Sequence, residues 1–232
     1  MPPARGETVK QWNDRMAAKY DAERFHEHPR LGVRWLRQQR IRHVFRLLAP
    51  QGEPVLEVGC GVGYLLSHVR GRRVGLDLAE TLLRKAARRL GSPRGLLQAD
   101  AQELPFRDAS WSRIYCSEVL EHLPSPWTAL REMARVLAPG GRLVVSIPNE
   151  RLIRRVKWTL RALGIWRLVV GSLAARYAQG PEMDDEWHWH VFDRRGFLAM
   201  TPPSLRVTRV GGIPVRWCPL QWIVCYEGMA GS

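Results

Sequence analysis

The chain has 232 residues, 45% of them hydrophobic and 25% charged, with a formal net charge of +14. That length supports one sizeable core, and the mixture is that of a globular domain, which excludes extended disorder except at the two ends. No apolar run reaches the roughly 20 residues of a membrane span, the first residues lack a signal-peptide stretch, and Cys60, Cys116, Cys218 and Cys225 form no C-x-x-C pair; a reduced, cytoplasmic chain is expected.

The first 29 residues are polar, with Trp12, Tyr20 and Phe25 scattered through them. Residues 31–48 read as a helix: Val33, Leu36, Ile41, Val44, Phe45 and Leu48 form a stripe and arginines fill the rest. Ala49-Pro50-Gln51-Gly52 stops it. Strands and helices then alternate. Strands are predicted over 55–58, 73–76, 95–99, 113–116 and 142–147, and helices over 64–69, 81–90 and 127–137. This rhythm implies parallel pairing, right-handed crossovers and a doubly wound α/β sheet.

Beyond Pro148 the rhythm changes. Residues 151–163 and 165–176 read as two amphipathic helices joined at Gly164, the first with a stripe of Leu152, Val156, Leu160 and Leu163 that is expected to pack on its own core. A short helix at 193–200 is capped by Asp193, and strands at 205–210 and 221–226 form the antiparallel end of the sheet.

The sharpest local signal is Val55-Leu56-Glu57-Val58-Gly59-Cys60-Gly61-Val62-Gly63, a strand running into a glycine loop. Glycines there let the backbone turn tightly and approach a ligand at the switch point of the sheet. A dinucleotide loop needs a small residue where this chain has Tyr64, and a pyrophosphate would be repelled by Glu57. A ligand bearing an ammonium fits better. Asp77 ends the second strand, where an acid bonds a ribose diol, and Asp100 ends the third, where an acceptor can take an adenine amine.

The segments VLEVGCGVGYLL, VGLDLAE, LLQADAQELPF, WSRIYCSEVLEHLP and LAPGGRLVVSIPN resemble the consecutive motifs of class I S-adenosylmethionine-dependent methyltransferases, closest to the group that includes the ubiquinone and menaquinone methyltransferases. The resemblance covers about residues 54–149. It implies a Rossmann-like sheet of seven strands in the order 3-2-1-4-5-7-6, the last strand antiparallel, with a helical lid insertion. It implies S-adenosylmethionine as cofactor, with S-adenosylhomocysteine as product. It places Glu57 and Gly59 at the methionine moiety, and Cys60, Gly61 and Gly63 in the loop. Asp77 is placed at the ribose, Leu78 on the adenine face, and Asp100 and Ala101 at the adenine edge. Cys116, Ser117 and Glu118 are placed at the amino acid end. On this reading residues 1–50 are an N-terminal helical cap, 51–150 the cofactor core, 151–192 the lid and 193–232 the closing helix and strands.

The candidate bases are His122, His188 and His190. In Glu186-Trp187-His188-Trp189-His190 an extended backbone would put both histidines on one face. That segment is a wall of the acceptor pocket, a core-packed motif or a metal site; a His-x-His pair without a third ligand is thin support for the last, and no metal is assigned.

A small-molecule acceptor with an O, N or C nucleophile is expected, hydrophobic or lipid-linked on the strength of the late tryptophans. The charge raises RNA as an alternative substrate. Ser117-Glu118-Val119-Leu120 is not the loop of base amino methyltransferases, so nucleic acid is disfavoured. Peripheral contact with an anionic membrane through the basic lid is compatible with the pattern. A non-catalytic cofactor-binding protein is the other alternative.

Overall fold

The computed structural model describes residues 6–19, 31–165, 188–215 and 218–230. Seven strands form one sheet in the order β3-β2-β1-β4-β5-β7-β6. They are β1 (Val55–Val58), β2 (Arg73–Asp77), β3 (Leu96–Gln98), β4 (Trp111–Ser117), β5 (Leu137–Pro148), β6 (Leu205–Val215) and β7 (Cys218–Gly228). The first five pair in parallel. β7 runs antiparallel to both β5 and β6. The strand order and the reversed end are those implied by the motif series.

The helices among the described residues are α1 (Val9–Lys19), α2 (Leu31–Leu48), α3 (Glu80–Leu90), α4 (Pro126–Val136), α5 (Glu150–Ala162) and α6 (Arg194–Ala199). All four residues of β1 are buried, as a central parallel strand covered on both faces requires. Alternation along β4 sends Ile114 and Cys116 into one core with Leu130 and Met133 of α4 and Phe197 of α6. Tyr115 goes into a second core with Ile41, Val44 and Leu48 of α2. Local capping agrees with the sequence: Ser125 accepts from the Thr128 amide with Pro126 in the first turn of α4, and Asp193 accepts from the Gly196 amide at 2.7 Å.

Three expectations change. The helix expected over 64–69 is only a 3-10 turn at Leu66–His68. The Ser67 hydroxyl bonds the Tyr64 carbonyl at 2.7 Å, and the His68 ring lies 2.9 Å from the same oxygen, so side chains occupy a group that an α-helical turn would use. The stripe of 152, 156, 160 and 163 in α5 is not a buried face among the described residues, where Val156 and Leu163 are exposed and only Glu150 is buried. β6 and β7 also extend several residues beyond the spans read from sequence. The second lid helix, and Glu186 and Trp187 of the tryptophan–histidine motif, lie outside the described residues. No helix described is long and apolar enough to cross a membrane.

α1 stands out of a polar stretch on three residues. Trp12, Met16 and Ala17 are spaced to share one face, and they pack on Val62, Ala79 and Leu82. The Trp12 ring meets Trp189 edge-on at 5.4 Å between centroids. Trp12→Ala is expected to lower the unfolding free energy by about 3 kcal/mol, measured by denaturant unfolding. A loss below about 1 kcal/mol would mean that α1 does not hold this position in solution.

Candidate functional site

The chain leaves β1 toward β2 and β3, then returns to the other side of β1 to make β4 and β5. The reversal opens a crevice at the carboxyl ends of β1 and β4, where open α/β sheets bind ligands. A cleft of about 430 Å³ occupies it. Glu57, Gly59, Cys60, Gly61, Asp77, Leu78, Asp100, Ala101, Ser117 and Glu118 line this single space. Two of the residues expected there do not. Cys116 is wholly buried in the core below. Gly63 faces α3 instead; a Cβ on it would stand 3.1 Å from that of Ala86, so its role is to let α3 pack close.

The glycine loop is held from below. The amides of Gly59 and Cys60 both donate to the Leu76 carbonyl at 2.8 Å, and the Gly61 amide donates to Asp77 Oδ2 at 2.8 Å. Asp77 Oδ1 accepts from the Ala79 amide at 2.9 Å. Gly59 has φ +73, and an added Cβ would overlap Val119 at 2.3 Å, whereas one on Gly61 would meet open space. The first glycine lets the loop pass under Val119, and the second leaves room for a ligand. Glu118 also has positive φ, at 58°, strain that a non-glycine residue tolerates only when its surroundings hold it.

Glu57 is buried and accepts the Tyr115 hydroxyl at 2.7 Å. Burial pushes its carboxyl up to about 8; the Tyr115 bond opposes this and the Asp77 charge reinforces it. Burial also raises Asp77, against the pull of its backbone amides. Asp100 accepts from the Gln102 amide at 2.8 Å, which fixes it beside the buried Ala101.

The far side of the cleft carries the candidate bases. His122 and His188 both line it, their rings edge to face at 4.7 Å between centroids. His188 Nδ1 lies 2.6 Å from Glu150 Oε1. His190 does not join them; its Nε2 lies 3.3 Å from the Pro124 carbonyl. The bend at Trp189, whose amide donates to the Glu121 carbonyl at 2.8 Å, separates the two histidines that an extended backbone would have put on one face.

Sequence reasoning missed Arg40, Glu121, Glu150 and Gln221, all of which line the cleft. Arg40 was hidden among the arginines of α2, although Arg37, Arg40, Val44 and Leu48 share the buried face at helical spacing. Gln221 donates to Glu118 Oε2 at 3.0 Å, and the Ser146 hydroxyl donates to Oε1 at 3.3 Å. Burial raises the Glu118 carboxyl, opposed by the Arg40 and His188 charges.

Residues 56–145 match the family model described as "Methyltransferase domain". The ubiquinone biosynthesis O-methyltransferase of Xanthomonas axonopodis pv. citri is 33% identical over 131 residues, which are 53% of this chain and 54% of that protein. The O-methyltransferase cnsE of Penicillium expansum is 37% identical over 110 residues, 44% of this chain and 40% of that one. The chain spans about half the length of the curated relatives it matches. In fold it is similar to the N-methyltransferase NodS of Bradyrhizobium japonicum in complex with S-adenosylhomocysteine, with a TM-score of 0.65 and 18% identity over 96% of this chain and 99% of that one. Residues 56–145 are thus similar to methyltransferase domains, whose cofactor is S-adenosylmethionine.

The residues fit that cofactor. The buried carboxyl of Glu57, the acceptor oxygens of Asp77 and Asp100 at the next two strand ends, and the space above Gly61 match a ligand with an ammonium, a ribose diol and an adenine amine. The raised Glu57 gives a check. The native state holds its proton up to about pH 8 while the unfolded chain releases it near 4.5, so stability declines as pH rises through that interval. Glu57→Gln is expected to remove this decline and to exceed the unmodified protein in stability at pH 8, measured by unfolding midpoints from pH 5 to about 8.5. Parallel profiles for the two proteins would contradict the assignment.

Proposed function

We propose that the chain transfers a methyl group from S-adenosylmethionine to the oxygen of a small-molecule acceptor. The observation that carries this is the convergence of Glu57, Asp77 and Asp100, from three successive strand ends, on one cleft whose far wall holds His122 and His188. When bound, the cofactor supplies an electrophilic methyl on a sulfonium, so the protein's task is alignment and exclusion of water. Glu57 would hold the ammonium, Asp77 the ribose hydroxyls, and Asp100 with the Ala101 amide the adenine. Leu78 and Leu82 give the adenine an apolar surface at the cleft wall.

The acceptor would enter between the α5 side and the β5–β7 end, past Ile153, Lys157, Pro148 and Gln221. His122 is the base candidate, because it lines the cleft on this side. His188 is held by Glu150 and would have a positioning role. Oxygen acceptors are favoured because two of the relatives are O-methyltransferases. A hydrophobic or lipid-linked phenol agrees with the apolar residues at this mouth and with the basic lid.

The test is transfer of isotopically labelled methyl from S-adenosylmethionine to a panel of phenols, catechols and prenylated quinols. Label is expected in an oxygen acceptor. Asp77→Ala is expected to weaken S-adenosylhomocysteine binding at least tenfold, about 1.4 kcal/mol, by calorimetry. Unchanged binding in that variant would contradict the placement, and labelling of nitrogen or carbon acceptors alone would contradict the choice of oxygen.

A further inference from the structure

On the acceptor side, Glu121, His122 and His188 each present one ligand-type atom, all within 4.8 Å of one another. Glu121 is 1% exposed, and its Oε2 has no hydrogen-bond partner among the described residues. A buried carboxylate oxygen without a donor is expensive unless something cationic completes it. The Glu121 carbonyl fixes the segment by accepting the amides of Trp189 and His190 at 2.8 and 3.3 Å, which carries His188 to the same place.

His188 is prepared for a ligand. Its Nδ1 faces Glu150 Oε1 at 2.6 Å, with both side chains nearly buried. That contact sets the ring orientation and leaves Nε2 for another partner, the carboxylate–histidine arrangement that supports metal-binding imidazoles. Three carboxylates, Glu118, Glu121 and Glu150, gather around this point. Arg40 opposes Glu118 and Glu121 from the cleft wall, and Arg154 reaches Glu150 Oε2 at 3.2 Å from the solvent side. Lys157 lines the mouth.

We propose that Glu121, His122 and His188 bind a divalent first-row transition ion such as zinc or manganese. Two imidazoles and one carboxylate suit these ions better than magnesium or calcium, which prefer all-oxygen shells. Three protein ligands leave an open position, as catalytic sites of this kind do. That position faces the cleft, where an acceptor oxygen would bind. In that role the ion would activate the acceptor oxygen in place of His122 as base; this role rests on the methyl-transfer reading, whereas the ion site itself does not. A His-x-His pair drew attention in the sequence, but only its first member takes part, and the remaining ligands come from the turn after β4.

The test uses the full chain, stripped with a chelator and titrated with cobalt(II) alone, read by visible absorption, with zinc as competitor. One equivalent is expected, with d–d bands of a nitrogen–oxygen site. His122→Asn and His188→Asn are each expected to weaken binding at least tenfold, and Glu150→Gln by 10- to 100-fold. His190→Asn is expected to leave it unchanged. S-adenosylhomocysteine binding, measured on every variant, reports whether the cleft is folded. Intact S-adenosylhomocysteine binding with no cobalt absorption would overturn the proposal, as would equal cobalt affinity in all variants. Cobalt uptake that follows the ligand variants without any S-adenosylhomocysteine binding would support the ion site and remove only the methyl-transfer reading.

Discussion

The cleft depends on one arrangement, the carboxylate of Asp77 tied to the amide of Gly61 across the ends of β1 and β2. With the Leu76 carbonyl taking the Gly59 and Cys60 amides, it holds the glycine loop against the sheet while leaving space above Gly61. Burying an acid there is tolerable because two backbone amides satisfy it. Glu57, one strand over, is buried deeper; burial outweighs the support of the Tyr115 hydroxyl and the Leu66 backbone, and so it favours its protonated form. A cationic ligand that reaches Glu57 would reverse that preference. Fold and ligand are therefore coupled through the same two acids.

The opposite wall repeats the theme with a different outcome. Glu121 and Glu150 are buried and Glu118 is half-buried, and burial pushes Glu121 well above the usual carboxylate range, with the Glu118 charge adding to it. Glu118 is satisfied by Ser146 and Gln221, and Glu150 by His188 and Arg154. Glu121 keeps an oxygen without a hydrogen-bond partner among the described residues. One wall presents acids at successive strand ends above a glycine loop, and the other gathers excess negative charge beside two imidazoles. That asymmetry distinguishes this cleft from a plain nucleotide site.

Much of the fold was legible because the parallel strands have short apolar centres separated by turn residues, and because acids stand at or near the ends of the first three. That Glu57, Asp77 and Asp100 share one cleft was legible for the same reason: they sit at fixed places in a repeating pattern. The acceptor wall was not. Arg40 comes from a helix whose arginines look alike in sequence, Glu150 from the first turn of α5, and Gln221 from a strand more than a hundred residues away from Glu118. Only tertiary packing brings them together. The Leu66–His68 turn and α1 failed in opposite directions: side-chain bonds to Tyr64 shorten the first, and three buried residues sustain the second within a polar stretch.

The most direct test of the account is calorimetric binding of S-adenosylhomocysteine between pH 6 and about 8.5, in the unmodified protein and in Glu57→Gln, since the proposed contact with the ligand's ammonium would require an ionised Glu57, which the free protein keeps protonated up to about 8. The account predicts that affinity in the unmodified protein tightens by up to tenfold per pH unit and levels near pH 8, with proton release on binding below that point, while Glu57→Gln binds weakly at every pH. A pH-independent affinity shared by both proteins would show that Glu57 does not meet the ammonium and would contradict the assignment of this wall of the cleft.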